Sequence, residues 1–220
     1  MLHTTALTLY LDEQPLLTLP PMTVAPGEVL TLMGPSGCGK SSLLAALAGV
    51  LPPGGPIRLA GEIRLGERLL TPLAPQVRRI GMLFQDDLLF AHLTVAENLM
   101  FGMPAHLRGM AARRACALEA LAEVGLEGQA DKLPGQLSGG QKARVSLLRA
   151  LLAEPEALLL DEPFSRLDKP LRAAFRTLVF ERLKALGIPA LLVSHDEEDA
   201  PGAILTLTTP CLTKEDSDLV

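Results

Sequence analysis

Short apolar runs alternate along this chain with stretches of helical spacing. Val29 to Met33 (VLTLM) lies between Pro26-Gly27 and Gly34 and predicts a buried strand. From Lys40 to Ala48, Leu43, Leu44, Leu47 and Ala48 recur at helical spacing, and Gly49 predicts the stop. Between Pro52 and Pro75, apolar Ile57, Leu59, Ile63 and Leu65 alternate with Arg58, Glu62 and Arg64, which predicts an antiparallel arm packed on one side. Ile80 to Phe84 (IGMLF) predicts another buried strand, ending at Gln85.

From Asp86 to about Leu152 the strand signal gives way to helices, so residues 86–152 are read as an inserted helical subdomain. Ala111 to Val124 has Cys116, Leu118, Leu121 and Ala122 as its predicted apolar side and Gly125 as its end. Gln141 to Leu152 repeats the pattern with Val145, Leu148, Leu151 and Leu152 and closes before Pro155. Ala157 to Leu160 (ALLL) predicts a strand. Leu171, Phe175, Leu178, Val179, Leu183 and Leu186 mark one helix, with Asp168 as its cap and Gly187 as its end. Ala190 to Val193 and Ala203 to Leu207 complete the strands. Strands alternating with helices predict an α/β fold, with a mostly parallel sheet covered on both faces and an N-terminal antiparallel β arm.

The chain has 220 residues, enough for a single domain over 1–220 that carries an inserted subdomain. Apolar residues make up 48% and aromatics 3%, with no Trp, so Leu, Val, Ala and Met must build the core. Lys and Arg number 20 against 25 Asp and Glu, a net charge of −5 that argues against nucleic acid as a partner. The cysteines Cys38, Cys116 and Cys211 form neither a zinc nor a disulfide pattern, which fits a reducing compartment. No secretory signal and no apolar run near the ~20 residues of a spanning helix is present, so a chain soluble by itself is expected.

The sharpest chemical signal is Gly34-Pro35-Ser36-Gly37-Cys38-Gly39-Lys40-Ser41, followed by Ser42. It matches G-x-x-x-x-G-K-[ST] between a predicted strand and a predicted helix, the context a phosphate-binding loop requires. Gly37 and Gly39 let backbone N–H groups turn toward a phosphate, and the helix N-terminus adds positive potential. Lys40 neutralises β- and γ-oxygens, and the Ser41 hydroxyl is a ligand for Mg²⁺. The plain alternative is a chance glycine-rich turn, which the strand-and-helix context disfavours. Asp161 and Glu162 follow the strand Ala157 to Leu160, where ligands of open α/β sheets collect. Asp161 is placed to hold Mg²⁺ through water, and Glu162 to orient and deprotonate a water in line with a γ-phosphate. An acidic cap on the next helix is the alternative.

Leu137-Ser138-Gly139-Gly140-Gln141 lies between these two motifs. With it, the chain resembles the ATP-binding subunit of an ABC transporter, and the remaining family elements appear in order: Gln85 after a strand, Ser165-Arg166-Leu167-Asp168, and His195 in Val-Ser-His-Asp. The resemblance runs from about residue 5 to 200. It implies a P-loop NTPase core, and a head-to-tail dimer in which ATP lies between the phosphate loop of one copy and Ser138, Gly139, Gly140 and Gln141 of the other. The physics agrees, since Ser138-Gly139-Gly140 opens a helix whose N–H groups form a second anion site. The resemblance further implies that His195 contacts the γ-phosphate and that Gln85 touches Mg²⁺ or water and signals through Asp86 to Arg108.

Some features depart from the family pattern. Arg166 stands where the family places Ala. Tyr10, the only Tyr, is the candidate to stack on adenine, but it lies one residue too far from Gly27, and on a strand one residue changes the face. The tail after Ala200, with Pro201, Gly202 and Pro210, is expected to hold no C-terminal regulatory domain. Cys38 sits in the phosphate loop at a helix N-terminus, where a small side chain is tolerated.

By resemblance, then, the chain is expected to hydrolyse ATP for a transporter from the cytoplasmic face of the inner membrane, as a peripheral protein. Its expected partners are polytopic transmembrane permease subunits and a periplasmic or lipid-anchored solute-binding protein. Phe84 to Asn98 and Ser194 to Ala200 look like bacterial importers; export is the alternative. An ABC-type ATPase acting on DNA or ribosomes would need heptad arms, a paired cassette or a basic face, none visible, and LSGGQ argues against a small-molecule P-loop kinase.

Overall fold

Alternating apolar and polar positions place the start of the chain in strands β1 (Leu2–Thr4), β2 (Leu7–Leu11), β3 (Gln14–Leu19) and β4 (Met22–Val24). The computed structural model describes residues 1–207, so Pro210 and Cys211 lie outside the described residues. β5 (Val29–Met33) leads through the glycine-rich loop into α1 (Lys40–Ala48), with the boundaries that the sequence predicts. Next come β6 (Ile57–Ala60), β7 (Ile63–Leu65), β8 (Arg68–Leu69), the short α2 (Pro75–Arg78) and β9 (Ile80–Leu83). Helices α3 (Val95–Gly102), α4 (Met110–Glu123) and α5 (Gly139–Leu152) follow without a strand. β10 (Ala157–Asp161), α6 (Lys169–Leu186), β11 (Ala190–Val193) and β12 (Ile204–Thr206) close the described chain.

The central sheet has five strands in the order β12-β5-β11-β10-β9, all parallel. β10 and β11 are buried at every position, as expected of strands covered on both faces. One side of the sheet packs on α1 and the antiparallel strands through Leu43, Leu44, Leu47, Leu159 and Leu191. The other packs on α5 and α6 through Leu147, Leu158, Leu160, Phe175 and Val179. A third apolar cluster, with Val95, Leu99, Ala117, Leu121 and Val145, lies among α3, α4 and α5.

Two expectations are corrected. The stretch from Ile57 to Leu69 is divided between two sheets: β6 pairs with β2 in the order β3-β2-β6, and β7 pairs with β1 in the order β4-β1-β7-β8. Thr5 holds the crossing point, its N–H donating to Glu62 O (3.1 Å) and its Oγ1 accepting from Glu62 N (2.8 Å). In α4 the buried side is Ala117, Ala120 and Leu121, while Leu118 and Ala122 face outward. Alanines on that side allow close approach, and Arg113 fixes the rotation by donating to Met100 O (2.8 Å) and Met103 O (2.6 Å).

The C-terminus of α1 is held from outside the helix. Arg78 is buried, and it donates through Nη1 to Ala46 O (3.0 Å) and Leu47 O (2.8 Å). Its Nε and Nη2 donate to Leu73 O (2.8 Å) and Thr71 O (3.0 Å). The guanidinium satisfies terminal carbonyls that a helix leaves unpaired and meets the negative end of the helix dipole. Burial lowers its pKa from the usual arginine value. Arg78→Met removes the donor to Leu47 O and leaves Ala46 O with the Gly49 N–H alone (3.1 Å), so urea denaturation should show a loss of about 1–3 kcal/mol of unfolding free energy. Arg78→Lys, with one point charge in place of a fork, should recover only part of it.

Candidate functional site

Residues from four parts of the chain meet at the C-terminal edge of the central sheet. The loop after β5 wraps the N-terminus of α1, where Gly37 and Gly39 have left-handed φ values of 80° and 93°. A Cβ at Gly39 would lie 3.0 Å from Leu16 Cδ2, the movable end of a side chain, so the left-handed backbone is what favours glycine here. Lys40, the first residue of α1, is buried, and its Nζ donates to Gly34 O (2.8 Å) and Pro35 O (2.7 Å). Cys38 Sγ is 3.9 Å from the same ammonium. Ser41 Oγ donates to Asp161 Oδ1 (3.1 Å), which ties the start of α1 to the end of β10.

Asp161 is almost fully buried, and that burial raises its pKa above the ordinary carboxylate value. The bond from Ser41 and the charge of Lys40 lower it, whereas the neighbouring Glu162 raises it. Glu162 has φ 46°, uncommon for a non-glycine residue and of the kind that clusters at functional sites. Its N–H donates to Val193 O (3.0 Å) and its carbonyl accepts from Ser165 Oγ (2.9 Å), so both neighbouring segments hold the turn. His195 Nδ1 lies 3.4 Å from Glu162 Oε2. A cavity of about 400 Å³ contains Ser36, Gly37, Gly39, Lys40, Ser41, Ser42 and Glu162 in its wall.

The loop bearing His195 is anchored by an ion-pair network. Ser194 Oγ donates to Asp199 Oδ2 (2.7 Å), and Arg172 of α6 donates to both Asp199 oxygens (2.9 and 2.6 Å). Arg172 Nη2 is also 2.9 Å from Asp196 Oδ2. The hydrogen bond to Asp199 is the main reason the Arg172 pKa is raised. Sequence reasoning saw only an acidic run here; Asp199 is buried while Glu197 and Glu198 face solvent.

Ser138 and Gln141 form a capping box at the start of α5: Ser138 Oγ accepts from Gln141 N (3.3 Å), and Gln141 Oε1 accepts from Ser138 N (2.9 Å). Leu171 of α6 packs directly over Gly140, where any side chain would collide with it. Neither Ser138, Gly139, Gly140 nor Gln141 is in the wall of the phosphate-loop cavity of its own chain. Gln85 is not there either. It lines a second cavity with Gly139, Lys142 and Arg166. Arg166 also pairs with Asp86, between two exposed side chains, a contact worth ~0–1 kcal/mol.

Tyr10 is not in the wall of the phosphate-loop cavity. Its ring takes the Arg58 guanidinium at 4.8 Å, and the residues of the antiparallel strands that reach the loop cavity are Leu11, Leu16 and Ile57. Sequence reasoning missed these three, because isolated Leu and Ile on alternating strands read as core.

Comparison with known proteins adds to this geometry. Residues 19–165 match the family model described as ABC transporter. The chain is 50% identical over 201 residues to the uncharacterized ABC transporter ATP-binding protein YnjD of Escherichia coli (strain K12), covering 91% of each. It is 47% identical over 178 residues to the thiamine import ATP-binding protein ThiQ of Cereibacter sphaeroides, covering 81% of this chain and 75% of that one. It spans about half the length of relatives named for iron and molybdenum import. The solved dimeric structure of MJ0796, a bacterial ABC transporter cassette, superposes with a TM-score of 0.78 at 30% identity over 94% of both chains. The phosphate loop, the carboxylates at the end of β10 and these likenesses agree that the chain belongs to the ABC transporter family, as one of its ATP-binding subunits.

Proposed function

We propose that this chain hydrolyses ATP to ADP and phosphate and couples that reaction to import of a solute through separate transmembrane subunits. The observation that carries the reading is the convergence of Ser41, Asp161, Glu162 and His195 beside the loop of Lys40. Backbone N–H groups from Gly34 to Ser42 and the Lys40 ammonium bind the phosphates, with Lys40 turning from its own loop carbonyls to the β- and γ-oxygens.

The residues fit Mg²⁺. Ser41 Oγ and Asp161 Oδ1 are hard oxygen donors side by side, and the desolvated Asp161 carboxylate lacks full compensation by cations. Ser41 and Asp161 would hold the ion, with Gln85 as the further ligand that the family resemblance implies, and its chemistry there would be to neutralise charge on the phosphate oxygens. Glu162 accepts a proton from the water attacking the γ-phosphorus, the γ-phosphate to β-oxygen bond breaks, and ADP leaves. His195, 3.4 Å from Glu162, orients that water and touches the γ-phosphate.

A second copy completes the site, presenting Ser138, Gly139, Gly140 and Gln141 to the nucleotide held on the first. That these residues stand outside the loop cavity of their own chain supports a head-to-tail dimer. The separate apolar cluster of α3, α4 and α5 supports reading residues 86–152 as an inserted helical unit within one ATPase domain. Among the described residues no helix is long and apolar enough to cross a membrane. The relatives' names as import ATP-binding proteins support permease partners and a peripheral place on the cytoplasmic face of the inner membrane. The import names of the relatives favour import, with a solute-binding protein outside and no nucleic acid partner. The solute is selected by those partner chains.

Glu162→Gln should still bind ATP, hydrolyse it slower by a factor on the order of 10²–10⁴, and accumulate as an ATP-bound dimer in size-exclusion chromatography. ATP turnover at the parental rate in that variant would remove Glu162 as the base. Lys40→Ala should lose nucleotide binding in equilibrium titration, and unchanged affinity would overturn the role of the loop. Asp161→Asn should move stability and activity in opposite directions. A carboxyl whose folded pKa is raised binds more protons folded than unfolded, so it costs stability once the pH rises above its unfolded pKa. At neutral pH the amide removes that cost, so the variant should melt higher than the parent while its Mg²⁺-dependent ATP turnover collapses.

A further inference from the structure

The side chain of His195 is exposed, and among the described residues its one polar contact is Glu162 Oε2 at 3.4 Å. With no other polar group to hold the ring, its place is set by the backbone on either side. Both flanks are tied to one buried centre. On the near side, Ser194 Oγ donates to Asp199 Oδ2 (2.7 Å) and accepts from Asp196 N (3.1 Å). On the far side, Asp196 Oδ1 accepts from Glu198 N (3.0 Å), and Asp196 Oδ2 lies 2.9 Å from Arg172 Nη2. Asp199 is buried and accepts from Arg172 Nε (2.9 Å) and Nη2 (2.6 Å), with Arg176 Nη1 at 3.5 Å. Arg172 thus holds one carboxylate from each flank of His195.

We infer that Arg172, acting through Asp199 and Asp196, is a positioning residue for ATP hydrolysis, which sets the place of His195 relative to Glu162. The inference rests on the proposed roles of Glu162 and His195 and names what holds one against the other. Both arginines belong to α6, which is fixed to the sheet by the buried Phe175, Val179 and Leu183. The same helix is tied to Glu162 at its start. Ser165 donates to Glu162 O through its N–H (3.2 Å) and its Oγ (2.9 Å), and Asp168 caps α6 three residues later. One rigid element therefore registers both members of the pair. A buried ion network is weak evidence for stability, since apolar side chains of the same volume often serve as well. What a guanidinium fork adds is direction, because its donors lie in one plane and fix the groups they bind. Arg172 itself is not in the wall of the phosphate-loop cavity, so binding of the nucleotide does not call on it.

Steady-state ATP turnover of the full chain with Mg²⁺ tests this, with ATP affinity measured alongside by equilibrium titration. Arg172→Gln should lower kcat by a factor on the order of 10–10², with KM and ATP affinity unchanged. Arg172→Lys should recover part of the loss, since a point charge reaches one carboxylate but does not fork to two. The decisive comparison is made in a His195→Ala background. There Arg172→Gln should cost nothing further, because a residue that acts through His195 has nothing left to position. Where Arg172→Gln alone yields too little folded protein, Arg172→Gln with Asp199→Asn removes both charges together and carries the same comparison. A parental kcat in Arg172→Gln, a rise in KM without a fall in kcat, or an equal further loss in the His195→Ala background overturns the inference. His195→Ala turning over ATP at the parental rate is a different failure, since it strikes the proposed role of His195 without any change in α6.

Discussion

The hydrogen bond from Ser41 to Asp161 joins residues 120 positions apart, and most of the site's geometry depends on it. β5 and β10 are not neighbours, because β11 lies between them. The loop after β5 must therefore carry α1 over the edge of the sheet before its first turn can reach the end of β10. Three conditions meet there: a helix starting at Lys40, a strand ending at Asp161, and a loop short enough to bring them to 3.1 Å. Arg78 secures the far end of the same helix, so α1 is fixed at both termini by side chains from other elements. A rigid helix that presents its N-terminus at a fixed point is what a phosphate-binding loop needs.

The first turn of α6 links two other parts of the proposed site. Asp168 caps it, its carboxylate accepting from Leu171 N (3.0 Å). Leu171 then lies over Gly140 at the start of α5, and Arg172 holds Asp199 and, through it, Ser194 beside His195. Consecutive residues thus contact the Ser138-to-Gln141 segment and the segment bearing His195. Interior packing is dense and transmits displacement poorly damped. The Ser138-to-Gln141 segment and the His195 loop share one helical turn as their common neighbour.

Sequence pattern revealed much of this fold because the central strands are buried on both sides and read as uninterrupted apolar runs. It failed where the deciding information is the identity of a partner. The alternation from Ile57 to Leu69 is real, but nothing in it says that β6 and β7 belong to different sheets. In α4 many small alanines blur the apolar side, and the carbonyls that Arg113 reaches decide the rotation. The loop residues from Gly34 to Ser42, and Asp161 with Glu162, were legible because their pattern is local and their spacing is that of a phosphate-binding loop. Asp199 was hidden in an acidic run that otherwise faces water, and Leu11, Leu16 and Ile57 looked like any other core residues.

The proposed Mg²⁺ site is judged by what surrounds Asp161. A carboxylate this buried is normally compensated by a salt bridge, yet its nearest cation, Lys40, gives its hydrogen bonds to Gly34 O and Pro35 O. Glu162, with a strained backbone and a second negative charge next door, worsens the balance. Folding thus concentrates uncompensated negative charge beside a loop built to attract anions, two features that oppose each other in isolation. They become mutually favourable when a divalent cation and a polyphosphate enter together, each neutralising what the other meets. The stability withheld from the protein alone is returned on binding, and it is largest for a ligand that brings both charges at once.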